Sequence, residues 1–354
     1  GVEERFKNSV DILKNVKASA EKHNELFYVM YDISGLSEEN LVEDLKADWQ
    51  QVILNDLDIT SSPSYAKDNG RPVVCLWGLG IREGTGEQYS ELIDWFHDKG
   101  CYVIGGVSKS WRDQIAKDEA MEKAFCKLDM LSPWSVGSAK TDSDVDSDAS
   151  ILAADKAYLD EKGIAYQPVM FPGFSWSNWK DNAVRNQIPR RAGDFMWRQA
   201  YNIAKQDIHC GYIAMFDEYD EGTAILKLAE DSSMIPKDQY FITASADGSY
   251  TSSDLYMRLA GYIPKVLRGE EEITEEMPLL LSEGPVYFRS GFEKYFDAQP
   301  VDGNGELVKD ELTYNGRYAL KLNRVGGGGE MLTKLSELDF SAEKINIGIS
   351  AYLA

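Results

Sequence analysis

The sequence predicts an α/β protein, a (β/α)8 TIM-type barrel followed by a partial C-terminal β-sandwich. From about residue 10 to 220, short apolar runs alternate with amphipathic stretches, which is the repeated βα pattern of a parallel sheet. Most of these runs end in aromatic or acidic residues, and active sites of such barrels lie at the C-terminal ends of the strands. After residue 279 the pattern changes to strand-like runs separated by Gly and Asn turns.

Six apolar runs are predicted to be parallel strands, because near-continuous runs of about four to six apolar residues suit strands buried on both faces. They span residues 27–32, 72–78, 102–107, 129–134, 166–171 and 212–217, and residues 239–243 are a further short candidate. Helices are predicted over residues 10–23, 37–55, 86–99, 149–163, 192–206 and 253–268. A doubly wound open sheet is the competing architecture, but no GxGxxG or P-loop motif follows any strand.

Two domains are predicted, a barrel over residues 1–275 and an incomplete β-sandwich over residues 276–354. The sandwich has candidate strands at 285–288, 314–322 and 345–349, and Asn315-Gly316 predicts a tight hairpin turn. Within the barrel, the Ser- and Asp-rich residues 141–148 are predicted to form a solvated acidic loop, with a weak calcium site as the alternative.

Composition excludes several classes of partner. The formal net charge of -22 disfavours nucleic acid, because such a surface repels phosphates. The 4 Cys show no close pairing and the 3 His no ligand pattern, so neither a disulfide framework nor a metal site is predicted. No cofactor is predicted either. No apolar stretch reaches the roughly 18 residues of a membrane span.

Four acids crowd into residues 217–221, at the end of the run at 212–217 and directly after it. Asp217, Glu218, Asp220 and Glu221 stand directly before Gly222. Hydrolysis of a glycosidic bond needs two carboxyl groups, one to protonate the leaving oxygen and one to assist the nucleophilic step. Crowding of carboxyls pushes their pKa values apart, as this chemistry requires. Glu218 and Glu221 are therefore the candidate catalytic pair, while a solvated loop and a divalent metal site remain the alternatives.

Aromatic residues at the other strand ends are candidate sugar-binding residues, since Trp and Tyr rings stack on the C–H faces of sugars. The predicted substrate-binding set is Tyr31, Asp32, Trp77, Trp111, Trp134, Trp176 and Asp217. For each aromatic residue, packing in the core or at the barrel rim is the alternative. Arg190 and Arg191 are predicted either to pin a loop by pairing with a carboxylate, that of Asp194 or one of the acids at 217–221, or to lie at a solvated helix N-terminus.

The segment YIAMFDEYDEGT, residues 212–223, resembles the catalytic strand of glycoside hydrolase families 71 and 99 and of related bacterial proteins described as xylosidase/arabinosidase. Residues 28–35, 133–137, 171–176 and 188–191 resemble the same families, so the resemblance extends over about residues 10–270. It implies a (β/α)8 barrel and a retaining α-glycosidase that acts within glycan chains. Glu218 would be the base toward the sugar 2-hydroxyl and Glu221 the general acid/base.

The match to these families is incomplete at two places. Family 99 members usually have Asn-Glu-Trp-His-Glu-Gly where this chain has Asp217, Tyr219 and Asp220 around the two glutamates. This difference preserves the carboxylate spacing and leaves the specificity for mannosides open. The families also have early barrel strands with no counterpart before Phe27, and the chain begins with Gly and ends within a strand-like run. Together these features predict a trimmed fragment, and a barrel that is closed differently is the alternative.

The resemblance implies hydrolysis of an α-linked polysaccharide or glycan, mannan-like or glucan-like. Such a substrate implies a location outside the cytoplasm, in the periplasm, at the cell surface or in the medium. The alternative function is non-catalytic glycan binding on the same barrel. A metal-dependent lyase or isomerase on that barrel is a third possibility.

Overall fold

The computed structural model describes residues 2–34, 36, 38–81, 84–180, 183–231, 234–236, 239–248 and 251–281, and four short strands between residues 299 and 332. The chain divides into two compact units. Unit 1 comprises Gly1–Ser135, Ser150–Val169 and Cys210–Tyr212, and unit 2 comprises Val136–Ala149, Met170–His209 and Ile213–Ala354. The predicted domain boundary near residue 275 stays a prediction.

A parallel sheet organises unit 1 and confirms the α/β class. Its strands are β1 (Val29–Asp32), β2 (Lys67–Asp68), β3 (Arg71–Leu79), β4 (Tyr102–Ser108), β5 (Met130–Trp134) and β6 (Ala165–Tyr166). Five of these strands are parallel and lie in the order β1-β3-β4-β5-β6. The sixth, β2, pairs antiparallel with β3. Strands that follow one another along the chain are thus neighbours, the arrangement that repeated βα units produce. Closure of this sheet into an eight-stranded barrel stays a prediction.

The predicted strand at 166–171 is interrupted. It forms β6 and then β7 (Val169–Met170), which pairs with β8 (Tyr212–Ile213) in a separate two-stranded sheet. Pro168 lies between the two pieces and has no backbone N–H to donate to a ladder. The residues predicted as a strand at 239–243 form none, because their backbone bonds elsewhere: the Tyr240 N–H donates to the Asn178 side-chain oxygen at 2.9 Å.

Eight α-helices lie in the described part of the chain: α1 (Val2–His23), α2 (Leu41–Asp48), α3 (Gly86–Asp98), α4 (Trp111–Ile115), α5 (Glu119–Phe125), α6 (Asp142–Lys162), α7 (Asp194–Lys205) and α8 (Leu255–Leu267). A π-helical segment, Trp49–Asp56, continues α2, and single 3-10 turns span Glu38–Asn40, Ile59–Ser61 and Arg191–Gly193. Thr85 begins α3 with reciprocal bonds to Gln88. The six predicted helices are present, whereas α4 and α5 are too short for their periodicity to show in the sequence.

The prediction of an acidic loop at 141–148 is wrong, since these residues begin α6. The Thr141 hydroxyl accepts the Asp144 N–H at 3.2 Å, and the Asp144 carboxylate accepts the Thr141 N–H at 2.9 Å. These bonds satisfy donors that a helix start leaves free, and the acids of the first turn interact favourably with the helix dipole. Arg198 also binds the Asp146 carboxylate through two nitrogens, at 2.7 and 2.6 Å.

Asp129, just before β5, ties together the N-terminal ends of the strands in unit 1. Its carboxylate accepts bonds from the Arg71 guanidinium at 2.8 Å and the Val103 N–H at 2.8 Å, and it lies 3.0 Å from the His97 ring nitrogen. Burial alone raises the pKa of Asp129, but the Val103 N–H and the Arg71 and His97 side chains outweigh it and lower the pKa. The ionised carboxylate therefore stabilises the folded state.

Replacing Asp129 with Ala should lower the free energy of unfolding by about 1.5–3 kcal/mol at pH 7, the usual cost of losing hydrogen bonds to a charged group. Because the folded pKa lies below the unfolded value of about 3.9, this contribution is complete above that pH and disappears as pH falls through the folded pKa. Urea unfolding at pH 7 and pH 3 measures it. Asp68→Ala, at a more exposed partner of Arg71, should change stability by less than about 0.5 kcal/mol. Equal effects of the two variants would contradict the assignment.

The core of unit 2 packs beneath the segments that follow β7. A cluster of buried side chains joins Ala139, Val145, Phe171, Phe174, Ile188 and Phe195. The Phe171 and Phe195 rings meet edge to face, with centroids 5.2 Å apart. Backbone bonds between Phe174 and Ile188, at 3.0 and 2.9 Å, hold two loops of the unit together above this cluster.

The C-terminal part of unit 2 is described only in four strands. β9 (Gln299–Pro300) pairs antiparallel with β12 (Met331–Leu332), and β10 (Gly305–Val308) pairs antiparallel with β11 (Ala319–Leu322). The candidate strands at 285–288 and 345–349 and the turn at Asn315-Gly316 lie outside the described residues, so the β-sandwich stays a prediction. None of the helices in the described part of the chain is long and apolar enough to cross a bilayer.

Candidate functional site

The chain after β8 folds back on itself and carries the four acids on the resulting loop, which we call the acid loop (residues 214–226). Its two arms are joined by backbone bonds: the Met215 N–H donates to the Thr223 carbonyl at 3.1 Å, and the Ile225 N–H donates to the Met215 carbonyl at 3.0 Å. The Glu218 carbonyl accepts the N–H groups of Thr223 and Ala224, at 3.1 and 3.0 Å. Hydrogen bonds within the loop thus fix the backbone at Glu218 and close the turn that carries Glu221.

Gly222 is required where the acid loop turns. Its φ is +67°, a left-handed conformation that disfavours side chains. A Cβ there would also lie only 2.8 Å from the Ile242 Cγ1 atom. The glycine that follows Glu221 therefore serves both the turn and the close approach of Ile242.

The two glutamates of the acid loop share an environment that favours retention of a proton. Burial, followed by the charges of Glu218 and Asp220, raises the pKa of Glu221, while Lys180 acts in the opposite direction. Burial, followed by the charges of Asp220 and Asp217, raises the pKa of Glu218. Asp217 and Asp220 themselves are exposed. Both groups therefore hold a proton more readily than an exposed glutamate does, and the charge of Glu218 adds to this effect at Glu221.

A second loop of unit 2 lies against the acid loop. The Ser175 N–H donates to the Glu221 carbonyl at 2.8 Å. The next residue, Trp176, is half-buried and packs edge to face on Phe174 with ring centroids 5.0 Å apart. The Lys180 ammonium lies 4.0 Å from the centre of the Trp176 ring. The structure thus brings the predicted Trp176 near Glu221, together with Lys180, which no sequence motif marked.

The other predicted substrate-binding residues belong to unit 1. Tyr31 is buried, with its hydroxyl donating to the Asp48 carboxylate at 2.7 Å, and Trp111 is buried against Tyr158. Both positions favour the packing alternative. Three more residues of the set are accessible: Trp77 and Trp134 are half-buried and meet edge to face at 5.1 Å, and Asp32 is exposed. Their role toward a sugar stays a prediction.

The two adjacent arginines do different things. Arg191 pairs with a carboxylate, but its partner is Asp142 at the start of α6 and not the predicted Asp194 or the acids at 217–221. Arg190 is buried and donates instead to backbone carbonyls of the acid loop, those of Gly222 and Ala224.

Among the described residues, no group of three or more His, Cys, Asp or Glu side chains is placed to hold a metal ion.

Comparison with known proteins relates this architecture to solved structures of a glycoside hydrolase. Neither a family model nor a curated protein matches the sequence. Solved structures of the GH99 endo-α-mannosidase from Bacteroides thetaiotaomicron do match. One has 13% sequence identity and a TM-score of 0.54, and the match covers 73% of this chain and 70% of that one.

The chain shares its fold with glycoside hydrolase family 99. A second structure of the Bacteroides enzyme, in complex with bis-tris propane, gives the same identity and TM-score over 72% of this chain and 74% of that one. The resemblance to family 99 noted in the sequence is thereby confirmed as a relation of fold. At 13% identity the comparison shows a shared fold only. The roles of individual residues therefore depend on the contacts seen in this chain.

Proposed function

We propose that the protein is a glycoside hydrolase that cleaves an α-linked polysaccharide or glycan, mannan-like or glucan-like, with Glu218 and Glu221 as its reacting carboxyls. The observation that carries this proposal is the placement of Glu218 and Glu221 on one hydrogen-bonded loop after β8, where burial and neighbouring carboxylates raise the pKa of both side chains. The family 99 fold supports it, because the Bacteroides enzyme is an endo-α-mannosidase. We further propose that the parallel sheet belongs to a (β/α)8 barrel and that the protein acts outside the cytoplasm, where such polymers occur.

The reaction proposed for the pair retains the anomeric configuration in two steps. In the first, Glu218 takes the proton of the sugar 2-hydroxyl, whose oxygen attacks the anomeric carbon. Glu221 gives its proton to the departing glycosidic oxygen, so the aglycone leaves as an alcohol and an epoxide-like sugar remains. In the second, Glu221 takes a proton from water as its oxygen attacks the anomeric carbon, and Glu218 returns its proton to the 2-oxygen. The sum is addition of one water.

The electrostatics of the acid loop support these roles. A general acid must be protonated at the working pH, and burial together with the negative charge of Glu218 favours the protonated form of Glu221. The exposed carboxylate of Asp217 and the half-buried ring of Trp176 are the residues we propose for substrate contact beside the pair. Since Asp217 and Asp220 depart from the usual family 99 residues, these positions are where a different sugar specificity would arise.

A glycan panel tests the proposed function. The protein should release new reducing ends from at least one α-linked polymer, with α-mannan and α-1,3-glucan oligosaccharides tested first and β-linked glucan as the control. Chromatography of the products at short times would show whether cleavage occurs within chains. Binding of a panel glycan without any cleavage would favour the non-catalytic alternative and contradict the proposal.

A further inference from the structure

Arg190 is a buried cation in unit 2 with an unusual set of partners. Its side chain is only 2% exposed. One terminal nitrogen, Nη2, donates to the carbonyls of Gly222 at 2.9 Å and Ala224 at 2.7 Å. The guanidinium carbon lies 4.5 Å from the centre of the Tyr256 ring. A buried charge is costly unless polar groups compensate it. Here the two carbonyls and the aromatic ring compensate it in part, because the Nε and Nη1 atoms of Arg190 are buried without a hydrogen-bond partner.

The carbonyls that Arg190 binds belong to the acid loop on either side of Thr223. Thr223 and Ala224 are also the residues whose N–H groups donate to the Glu218 carbonyl, and Gly222 directly follows Glu221. One guanidinium group therefore holds the return arm of the loop that contains both glutamates. The Ser175 N–H, at 2.8 Å from the Glu221 carbonyl, is a further anchor.

We propose that Arg190 is a positioning residue that fixes the orientation of Glu218 and Glu221 by clamping the Gly222 and Ala224 carbonyls. The expected effect of Arg190 on turnover rests on the proposed function, whereas its expected effect on the order of the acid loop does not. Arginine is needed because Nη2 carries two N–H groups in one plane and the guanidinium plane can lie on an aromatic ring. The ammonium of a lysine, a compact charge on a flexible stem, reproduces neither feature.

Neighbouring residues of unit 2 hold the Arg190 side chain in the position from which it binds the acid loop. The Asp247 carboxylate accepts the Asn186 side-chain amide and the Arg191 N–H, both at 2.5 Å, and so fixes the segment on each side of the arginine. Gly173 leaves room for the side chain, because a Cβ at that position would lie 2.6 Å from the Arg190 Cγ atom and 2.8 Å from the Ile188 carbonyl oxygen. Gly173→Ala should therefore displace Arg190, together with the Ile188 backbone, without removing the charge.

Hydrogen exchange of single amides tests the clamp without any substrate. In Arg190→Lys the amides of Thr223 and Ala224 should exchange at least about tenfold faster than in the wild type, because the loop opens locally more often. The buried amides of β3 and β4 should keep their rates. The matched control is Arg191→Lys at the neighbouring arginine, which pairs with Asp142 and should leave the Thr223 and Ala224 rates unchanged. Unchanged exchange in Arg190→Lys, or equal changes in both variants, would overturn the proposal.

Turnover gives the second test, on whichever glycan the panel identifies. Arg190→Ala should lower kcat by about 10–100-fold with a smaller change in KM, since small misplacement of reacting groups costs this much. Millimolar guanidinium, far below denaturing concentrations, should restore part of the lost kcat, and sodium ions at equal concentration should not. A change in KM with kcat unaltered, or a folded variant whose kcat guanidinium does not restore, would contradict the positioning role of Arg190.

If Arg190→Ala does not fold, Gly173→Ala should show the faster amide exchange at Thr223 and Ala224 and the lower kcat. A wild type that cleaves no glycan would contradict the proposed function alone.

Discussion

Replacing Glu221 with Gln should lower turnover of any glycan that the protein cleaves by roughly 10²–10⁴-fold, the usual contribution of a general acid or base. Glutamine has nearly the same shape and can still occupy the turn before Gly222, but it cannot give a proton to the departing oxygen. Initial rates of reducing-end release, measured at saturating glycan, give the change in kcat. Binding of the glycan should weaken far less than kcat, because the lost interaction belongs to the transition state.

The matched control for this substitution is Glu230→Gln. It makes the same change of charge at a half-buried side chain of unit 2. Because Glu230 lies outside the acid loop, kcat should stay within about twofold of the wild type. Thermal unfolding of both variants should remain close to that of the wild type, which separates lost chemistry from lost folding. Turnover in Glu221→Gln equal to that in Glu230→Gln would remove Glu221 from the mechanism.

Truncating Phe195 to Ala should lower the free energy of unfolding by about 3–5 kcal/mol, the range found for buried aromatic residues. Phe195 has no exposed surface and contacts the Phe171 ring within the core cluster of unit 2. The substitution removes apolar burial and leaves a cavity that the rigid surroundings fill only in part. Urea denaturation followed by tryptophan fluorescence measures the effect.

The control for Phe195 is Val184→Ala at an apolar side chain of the same unit that is 71% exposed. Its expected cost is within about 0.5 kcal/mol. Because Phe174 and Ile188 belong to the same cluster and flank the loops that reach the acid loop, Phe195→Ala should also reduce turnover below the unfolding midpoint. A Phe195→Ala protein as stable as Val184→Ala would show that the cluster does not support unit 2.

The parallel sheet could be predicted because its signal is local. β3 and β4 are long apolar runs, and such runs occur where both faces of a strand are covered. Errors arose where one residue or a short capping motif decides the outcome. Pro168 separates β6 from β7, and the bonds between Thr141 and Asp144 turn an apparently solvated acidic stretch into the start of α6.

The candidate site could be predicted only in its acidic part. Glu218 and Glu221 follow an apolar run at a spacing of three, which is visible in the sequence. The position of an aromatic residue after a strand does not reveal which way its ring faces, so the sequence left open whether Tyr31 and Trp111 bind substrate or pack in the core. The contacts of Arg190 join residues more than thirty positions apart and involve backbone carbonyls, which carry no residue-specific signal.

The anomeric configuration of the first product tests the central claim most directly. Proton NMR of the wild-type protein mixed with α-mannan or α-1,3-glucan oligosaccharides would follow the new reducing ends before they mutarotate. A retaining reaction at Glu218 and Glu221 predicts that their signals appear first in the α form. Initial release of the β form, or no release from any α-linked glycan that the protein binds, would contradict the account.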